Sequence, residues 1–218
     1  MTGPTRFRSP NTRWEFSIDK ANQILEAAGW KRGADGVRAK DGKKLKLVYQ
    51  TSTNAERQKT QAIVKQAAAK AGIEIEIKSV VASVFFGSDV ANPDTYTKFY
   101  SDIQMYSNGP GAPDPQVFML QFASWEVASK DNKWQGRNIT RWRNEEADKL
   151  WKAASTEMDP ARRAAHFIKM NDLVIQNTVV VPLLWRNLVA GASTKIKGFE
   201  LSGWDSYLWK LPYWHREA

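Results

Sequence analysis

Residues 44–81 read KLKLVYQTSTNAERQKTQAIVKQAAAKAGIEIEIKSVV, and the change of hydrophobic period within this stretch decides the fold. Leu45, Leu47 and Tyr49 alternate with Lys46, Val48 and Gln50, the two-residue period of a strand packed mainly on one face, predicted over 44–50. Asn54 then offers a side-chain oxygen to the free N–H groups of a helix. That helix is predicted to run to about Ala71 with Ile63, Val64, Ala67 and Ala68 inward, and Gly72 closes it. Ile73, Ile75 and Ile77 alternate with Glu74, Glu76 and Lys78 in a second strand that continues into Val80 and Val81. Strand, helix and strand make a βαβ unit, whose right-handed connection places the two strands parallel in one sheet. The fold class is therefore α/β.

Upstream, the first sixteen residues hold Pro4, Pro10 and Asn11 without an apolar period and read as an extended lead-in. Ser17 caps a short amphipathic helix with Ala21, Ile24, Leu25 and Ala28 on one face, ended by Gly29. The turn signals Asp35-Gly36 and Asp41-Gly42 predict a small hairpin around Val37 to Lys40. Downstream come a helical turn at Ser83 to Phe86, a loop over 90–98 and a third strand over Asp102 to Tyr106. That strand runs into the turn-rich Ser107-Asn108-Gly109-Pro110-Gly111-Ala112-Pro113. Asp114-Pro115 opens a helix over 116–122, expected to be mostly buried. A polar, Trp-punctuated loop spans Trp125 to Trp142. Asn144 caps the next helix, and Asp159-Pro160 opens a longer one to about Gln176 with Ala164, Phe167, Ile168, Val174 and Ile175 as its buried stripe. Val179 to Trp185 reads as an apolar strand that Pro182 confines to an edge.

Composition narrows the chemistry. The 218 residues include no cysteine, which excludes disulfides, thiolate metal sites and cysteine nucleophiles. No apolar run approaches the roughly 20 residues that span a bilayer, and no apolar h-region follows Met1, so a signal peptide is expected to be absent from this chain. The formal charge is +9, and residues 1–80 hold 16 Lys+Arg against 8 Asp+Glu, while residues 81–218 hold 16 against 15. These cations are dispersed, as at Lys20, Lys31, Lys43, Lys44, Lys65 and Lys70, which favours a solvated basic face over a phosphate-binding surface.

His166 and His215 have no metal-ligand neighbours at useful spacing, no Gly-rich phosphate loop is present, and Glu145 and Glu146 are adjacent in a first helical turn, where they favour the positive terminus. No metal, cofactor or catalytic site is expected. Ten tryptophans stand out. Trp125, Trp134, Trp142 and Trp185 lie in or beside polar loops, and the aromatics from Trp204 to Trp214 have little regular pattern to bury them, so they are expected to dock on something outside this chain. The rival class is a basic single-stranded nucleic-acid-binding domain that uses exposed aromatics as stacking platforms. A glycan-processing enzyme would need two facing carboxylates, and no such pair can be nominated.

The run Ser17 to Gly36, with Asp19-Lys20-Ala21, Ile24-Leu25, Ala27-Ala28-Gly29-Trp30 and Asp35-Gly36, resembles the segment that opens the second lobe of the family 5 solute-binding proteins. These are the oligopeptide-, dipeptide- and nickel-binding receptors of ABC importers. The resemblance continues in order through Leu45 to Gln50, Ala71-Gly72-Ile73, Gly111 to Phe122, Asn144 to Leu150, Asp159 to Ile175 and Val181-Pro182-Leu183.

It implies a periplasmic-binding-protein-like lobe, with a mixed, mostly parallel sheet flanked by helices, that closes on a ligand against a second lobe. The domain expectation is a lead-in over 1–16, a C-terminal α/β lobe over 17–203 and an aromatic tail over 204–218 that returns towards an N-terminal lobe. Implied partners are a small solute of peptide, opine or sugar class, an ABC permease and that N-terminal lobe. No nucleic acid is implied, and membrane contact comes only through the transporter or a lipid anchor. The implied location is periplasmic or membrane-anchored, and the role is not enzymatic. In the peptide binders the loop after the third strand carries an aspartate four positions before the proline that here is Pro115. This chain has Gly111 there, and Asp114 is explained by helix capping. The ligand-binding expectation is Asn108, Gly109 and Gly111 as backbone and amide groups, with Trp185 or Asn138 as a wall of the pocket.

Overall fold

A computed structural model describes residues 5–203 and 207–217, which form two compact units. One unit comprises Arg13–Asn108 and Trp125–Arg141; the other comprises the segment ending at Thr12, Gly109–Ser124 and the chain from Trp142 onward.

The first unit begins with α1 (Ile18–Ala27), whose N-terminus is capped by the Ser17 side chain accepting from the Lys20 N–H. Three short antiparallel strands follow in the order β1 (Lys31–Arg32), β2 (Arg38–Lys40) and β3 (Lys43–Lys44). Asp41 and Gly42 take φ of 50° and 76°, the left-handed pair that a tight hairpin turn requires. The buried Arg38 guanidinium fastens this hairpin: it donates to the Glu26 carboxylate at 2.5 Å, the Trp30 carbonyl at 2.6 Å, and the Ala71 carbonyl and Asn22 Oδ1 at 2.9 Å each.

The βαβ unit is present. β4 (Lys46–Ser52) runs parallel to β5 (Glu74–Val80), with Leu47 opposite Ile75 and Tyr49 opposite Ile77, and α2 (Ala55–Lys70) connects them. After α3 (Ala82–Phe85) the chain crosses to the other side of β4, where β6 (Ile103–Met105) also pairs parallel. The sheet order is β5-β4-β6.

Two expectations change here. β4 is central and its last four residues, Tyr49 to Ser52, are buried whichever way they point, so it is not a one-faced strand. The polar ones are satisfied: Gln50 Nε2 donates to the Asp94 carbonyl at 2.9 Å and Thr51 Oγ1 to the Met105 carbonyl at 2.6 Å. In α2 the fully buried residue is Gln61, and Ile63 is 67% exposed. The inward arc is Gln61, Val64, Ala67 and Ala68, and at about 100° per residue Ile63 falls outside it.

The second unit is helical. α4 (Gln116–Met119) passes into a 3₁₀ turn over Leu120–Phe122; α5 (Glu145–Thr156) is capped by Asn144, and α6 (Pro160–Gln176) by Asp159, which accepts from the Ala161 and Arg162 N–H groups. The core gathers Met119, Phe122, Ala147, Ala154, Ala164, Phe167, Met170 and Val174. Ile168 only half belongs to this stripe, and Val117 faces solvent, so the 116–122 segment is buried on one side only. Phe7 enters the same core, edge-on to Phe167 at 6.1 Å, and Asn11 Nδ2 donates to the buried Asp172 carboxylate at 2.7 Å. Periodicity could not reveal these anchors, because each is a lone residue in an aperiodic segment.

Val179 to Trp185 is not a strand. Residues 180–193 hold no regular secondary structure and no ladder partners, and Val181, Leu183, Leu184 and Trp185 are exposed. β propensity alone does not make a strand without a partner that it pairs with. The tail returns through β7 (Ile196–Lys197) paired antiparallel with β8 (His215–Arg216), and Phe199 meets Trp214 edge-on at 5.4 Å. Tyr207, Leu208, Trp209, Leu211 and Tyr213 are exposed; Trp204 lies outside the described residues.

Candidate functional site

In the first unit, the order β5-β4-β6 makes β4 a topological switch point. The connection from β4 leads to one side of the sheet and the later crossing to the other, and beyond the carboxyl ends of the strands at such a point is where open α/β sheets bind their ligands. The segments at that end are the β4–α2 turn, α3 and the residues that follow β6. They carry Ser52, Arg57, Phe86, Tyr106 and Asn108, joined by Tyr96 from the loop before β6. Arg57 Nη1 donates to Ser52 Oγ at 2.6 Å, and its guanidinium lies over the Phe86 ring at 5.8 Å. Phe86 packs on Tyr96 at 5.7 Å between ring centres, and Tyr96 on Tyr106 at 5.5 Å. Burial pushes the Tyr106 phenol up to about 12, so it stays neutral and keeps its O–H near neutral pH.

The expected ligand residues fall on separate segments. Asn108 belongs to the first unit, two residues past Tyr106, and is exposed. Gly109 and Gly111 belong to the second unit and are also exposed; a Cβ at either would meet nothing within 4 Å, and Gly111 has φ +63°. Their loop is fixed at Asp114, whose two oxygens accept from Arg163 at 2.8 and 2.9 Å while Oδ1 also accepts from the Gln116 N–H at 2.9 Å. The Arg163 guanidinium above all holds the Asp114 carboxyl below its ordinary value; burial opposes it, and the Gln116 N–H adds a smaller lowering effect. Asp114 is thus committed to the loop.

Asn138 lies in the first unit with 0% exposure, in a bridge with Val127 where its N–H donates to the Glu126 carbonyl and its carbonyl accepts from Ala128. Its Oδ1 accepts from the Thr140 hydroxyl at 2.9 Å. Trp185, in the second unit, is 55% exposed. Of the other loop tryptophans, Trp134 is held between Tyr100 at 5.6 Å and the Arg141 guanidinium at 5.4 Å, and Trp142 packs against the helical core.

Sequence reading missed Ser52, Arg57, Phe86, Tyr96 and Tyr106. One signal was available for Arg57: a cation in a first helical turn, where carboxylates are favoured. Among the described residues no group of three or more His, Asp or Glu side chains is placed to hold a metal ion.

An α/β unit with loops and an aromatic cluster at the carboxyl end of a parallel sheet is the architecture of a small-molecule-binding lobe. The family model described as bacterial extracellular solute-binding proteins, family 5, middle region, matches residues 3–130. The chain belongs to this family. The oligopeptide-binding protein AppA of Bacillus subtilis is 24% identical over 190 residues, which cover 86% of this chain and 33% of that protein. Among solved structures, the oligopeptide-binding protein of Thermus thermophilus complexed with a pentapeptide aligns with a TM-score of 0.71 at 25% identity, over 83% of this chain and 31% of that one. DppA of Helicobacter pylori in complex with the peptide STSA shares the fold, with a TM-score of 0.71 at 18% identity, over 90% of this chain and 35% of that one. This chain spans about a third of the length of these relatives. Among the described residues, no helix is long and apolar enough to cross a membrane.

Proposed function

We propose that this chain is the C-terminal lobe of a two-lobed receptor that captures a small solute and delivers it to an ABC importer outside the cytoplasmic membrane. The observation that carries this reading is the switch-point sheet, whose carboxyl end displays binding-type side chains in a chain of the family 5 class. The lobe has a lead-in over 1–16 and a body over 17–203, and its aromatic tail over 204–218 reaches towards an N-terminal lobe that supplies the other wall. Closure of the two lobes is a hinge motion, and the closed form is what the permease recognises. The role is binding, not catalysis.

Asn108, Gly109 and Gly111 supply amide and backbone groups to the solute and Trp185 a flat wall, with Asn138 holding the 125–141 segment in place. A free-amine peptide is not the favoured solute. Gly111 offers no carboxylate and Asp114 is occupied by Arg163, so a buried ammonium would lack a partner, at a cost of several kcal/mol. The test uses the complete receptor: the solute that co-purifies is identified by mass spectrometry, and its affinity is measured by calorimetry. The double substitution Asn108→Ala, Trp185→Ala is expected to weaken binding about tenfold or more. Unchanged affinity would remove these residues from the site, and a complete receptor that holds and binds no solute would remove the reading itself.

A further inference from the structure

Three side chains in one register row of the sheet reach the same loop. Lys78 on β5 stands opposite Gln50 on β4, and Gln50 opposite Gln104 on β6, so the three side chains share one face. Lys78 Nζ donates to Asp94 Oδ1 at 2.5 Å, Gln50 Nε2 to the Asp94 carbonyl at 2.9 Å, and Gln104 Nε2 to the Tyr96 carbonyl at 3.0 Å. From within the loop, the Lys98 ammonium donates to the Val90 and Asn92 carbonyls. Residues 89–98 are thereby held over the sheet as a strap, with little apolar anchorage, since Val90, Ala91 and Pro93 are exposed. Three of the features that fix the strap are locally unfavourable. Lys98 is 3% exposed, the one buried lysine among the described residues, and its ammonium meets carbonyls rather than a carboxylate. Gln104 Oε1 is buried and meets no donor among the described residues. Phe99, next after Lys98, takes a φ of 40°, which a bulky residue rarely adopts. An apolar side chain in place of Lys98 or Gln104 would avoid burying a polar group at a cost, so what these two residues contribute is position rather than stability.

We infer that the 89–98 strap builds the aromatic wall of the candidate site, with Lys98 and Gln104 as its positioning residues: they hold Tyr96 in place and, through Tyr96, cover Tyr106. The Tyr96 N–H donates to the Phe85 carbonyl at 2.8 Å, and its ring lies 6.1 Å from Phe85, 5.7 Å from Phe86 and 5.5 Å from Tyr106 between centres. Its backbone is thus gripped by α3 on one side and by β6 on the other, and the grip on β6 runs through the Gln104 amide. Lys98 closes the strap on itself and fixes where Tyr96 emerges. Burial keeps the Tyr106 phenol neutral, so the strap also decides whether that hydroxyl remains a donor. That the wall faces a solute rests on the receptor reading above; the hold of the strap on Tyr96 does not.

The test labels the tyrosines with carbon-13 at Cζ and follows them by NMR from about pH 7 to about pH 11, with Tyr96→Phe and Tyr106→Phe assigning the two signals. In the wild-type chain Tyr106 is expected to stay un-ionised through this range, as its value of about 12 requires, and the Tyr96 and Tyr106 rings to show mutual nuclear Overhauser effects. In Lys98→Met and in Gln104→Met, each checked for an unchanged circular dichroism spectrum, those effects are expected to vanish and Tyr106 to ionise near the ordinary tyrosine value of about 10. Should either fail to fold, Lys98→Leu or Gln104→Glu takes its place. Gln61→Leu, which removes the buried bond from Gln61 to the Tyr49 carbonyl and leaves the strap untouched, is expected to lower the urea midpoint without moving Tyr106. A Tyr106 signal that stays put in either strap variant, or that Gln61→Leu moves as far, overturns the inference. The receptor reading fails separately: a complete receptor that binds no solute sinks it while the titration still decides the strap, and a strap that does not hold Tyr96 leaves the receptor standing.

Discussion

Asp114 illustrates how one side chain is reassigned by its partner. Its sequence position suggests a helix cap, and it does accept the Gln116 N–H, but the bidentate Arg163 contact dominates its environment. Because that contact depresses the carboxyl, the stabilisation it provides is full above the unfolded-state value of about 3.9 and is lost as pH falls below it, through the folded value. Asp114→Asn is therefore expected to lower the urea midpoint at pH 7 by an amount equivalent to about 1 kcal/mol, discounted for partial exposure, and the gap to wild type should close below about pH 4. A gap that persists unchanged at pH 3 would show that shape, not charge, is what Asp114 contributes. Gln61 makes a different case. Its Nε2 donates to the Tyr49 carbonyl at 2.7 Å from a fully buried position, so Gln61→Leu strands that carbonyl and is expected to cost about 1–3 kcal/mol in urea unfolding. Neither partner was legible in the sequence, since each contact joins residues with no local pattern between them.

At the level of elements, sequence reading succeeded where period and caps agreed. Ser17, Asn54, Asn144 and Asp159 all cap the helices they were read to cap, because a cap is a local hydrogen bond within three residues. It failed where facing depended on the rest of the fold. Ile63, read as inward with Val64, Ala67 and Ala68, is exposed, because small residues and Gln61 form the face of α2 that meets the sheet. The 125–141 segment has no period at all, and its form rests on backbone proximity. A Cβ on Gly136 would lie 2.7 Å from the Ala128 nitrogen and 2.7 Å from the Val127 carbonyl carbon. Gly136→Ala is expected to cost more than about 2 kcal/mol and to expose Asn138, which hydrogen exchange at the Ala128 and Asn138 amides would report as lost protection. Retained protection there would mean that the segment can shift to admit a methyl group.

For the molecule as a whole, the family and the α/β class were legible from collinear short motifs, and the site was legible only in part. Loop position pointed to Asn108, Gly109 and Gly111, while Arg57 and its aromatic neighbours come together only when the strand order is known. The run from Val180 to Ala190, entirely exposed, bears on handling. An exposed, irregular backbone with no ladder partners fits a protease cleft, and Arg186 stands in its middle, so trypsin is expected to cut after Arg186 before any arginine inside α6, with mass spectrometry of the first fragments as the readout. If the complete receptor resists that cut, the run is covered there. The same run, Val-Val-Val-Pro-Leu-Leu-Trp over 179–185, has the makeup of an adhesive β segment with one gatekeeper, Pro182. The purified 218-residue chain should therefore clump as its concentration rises, and replacing that single proline should make it markedly worse.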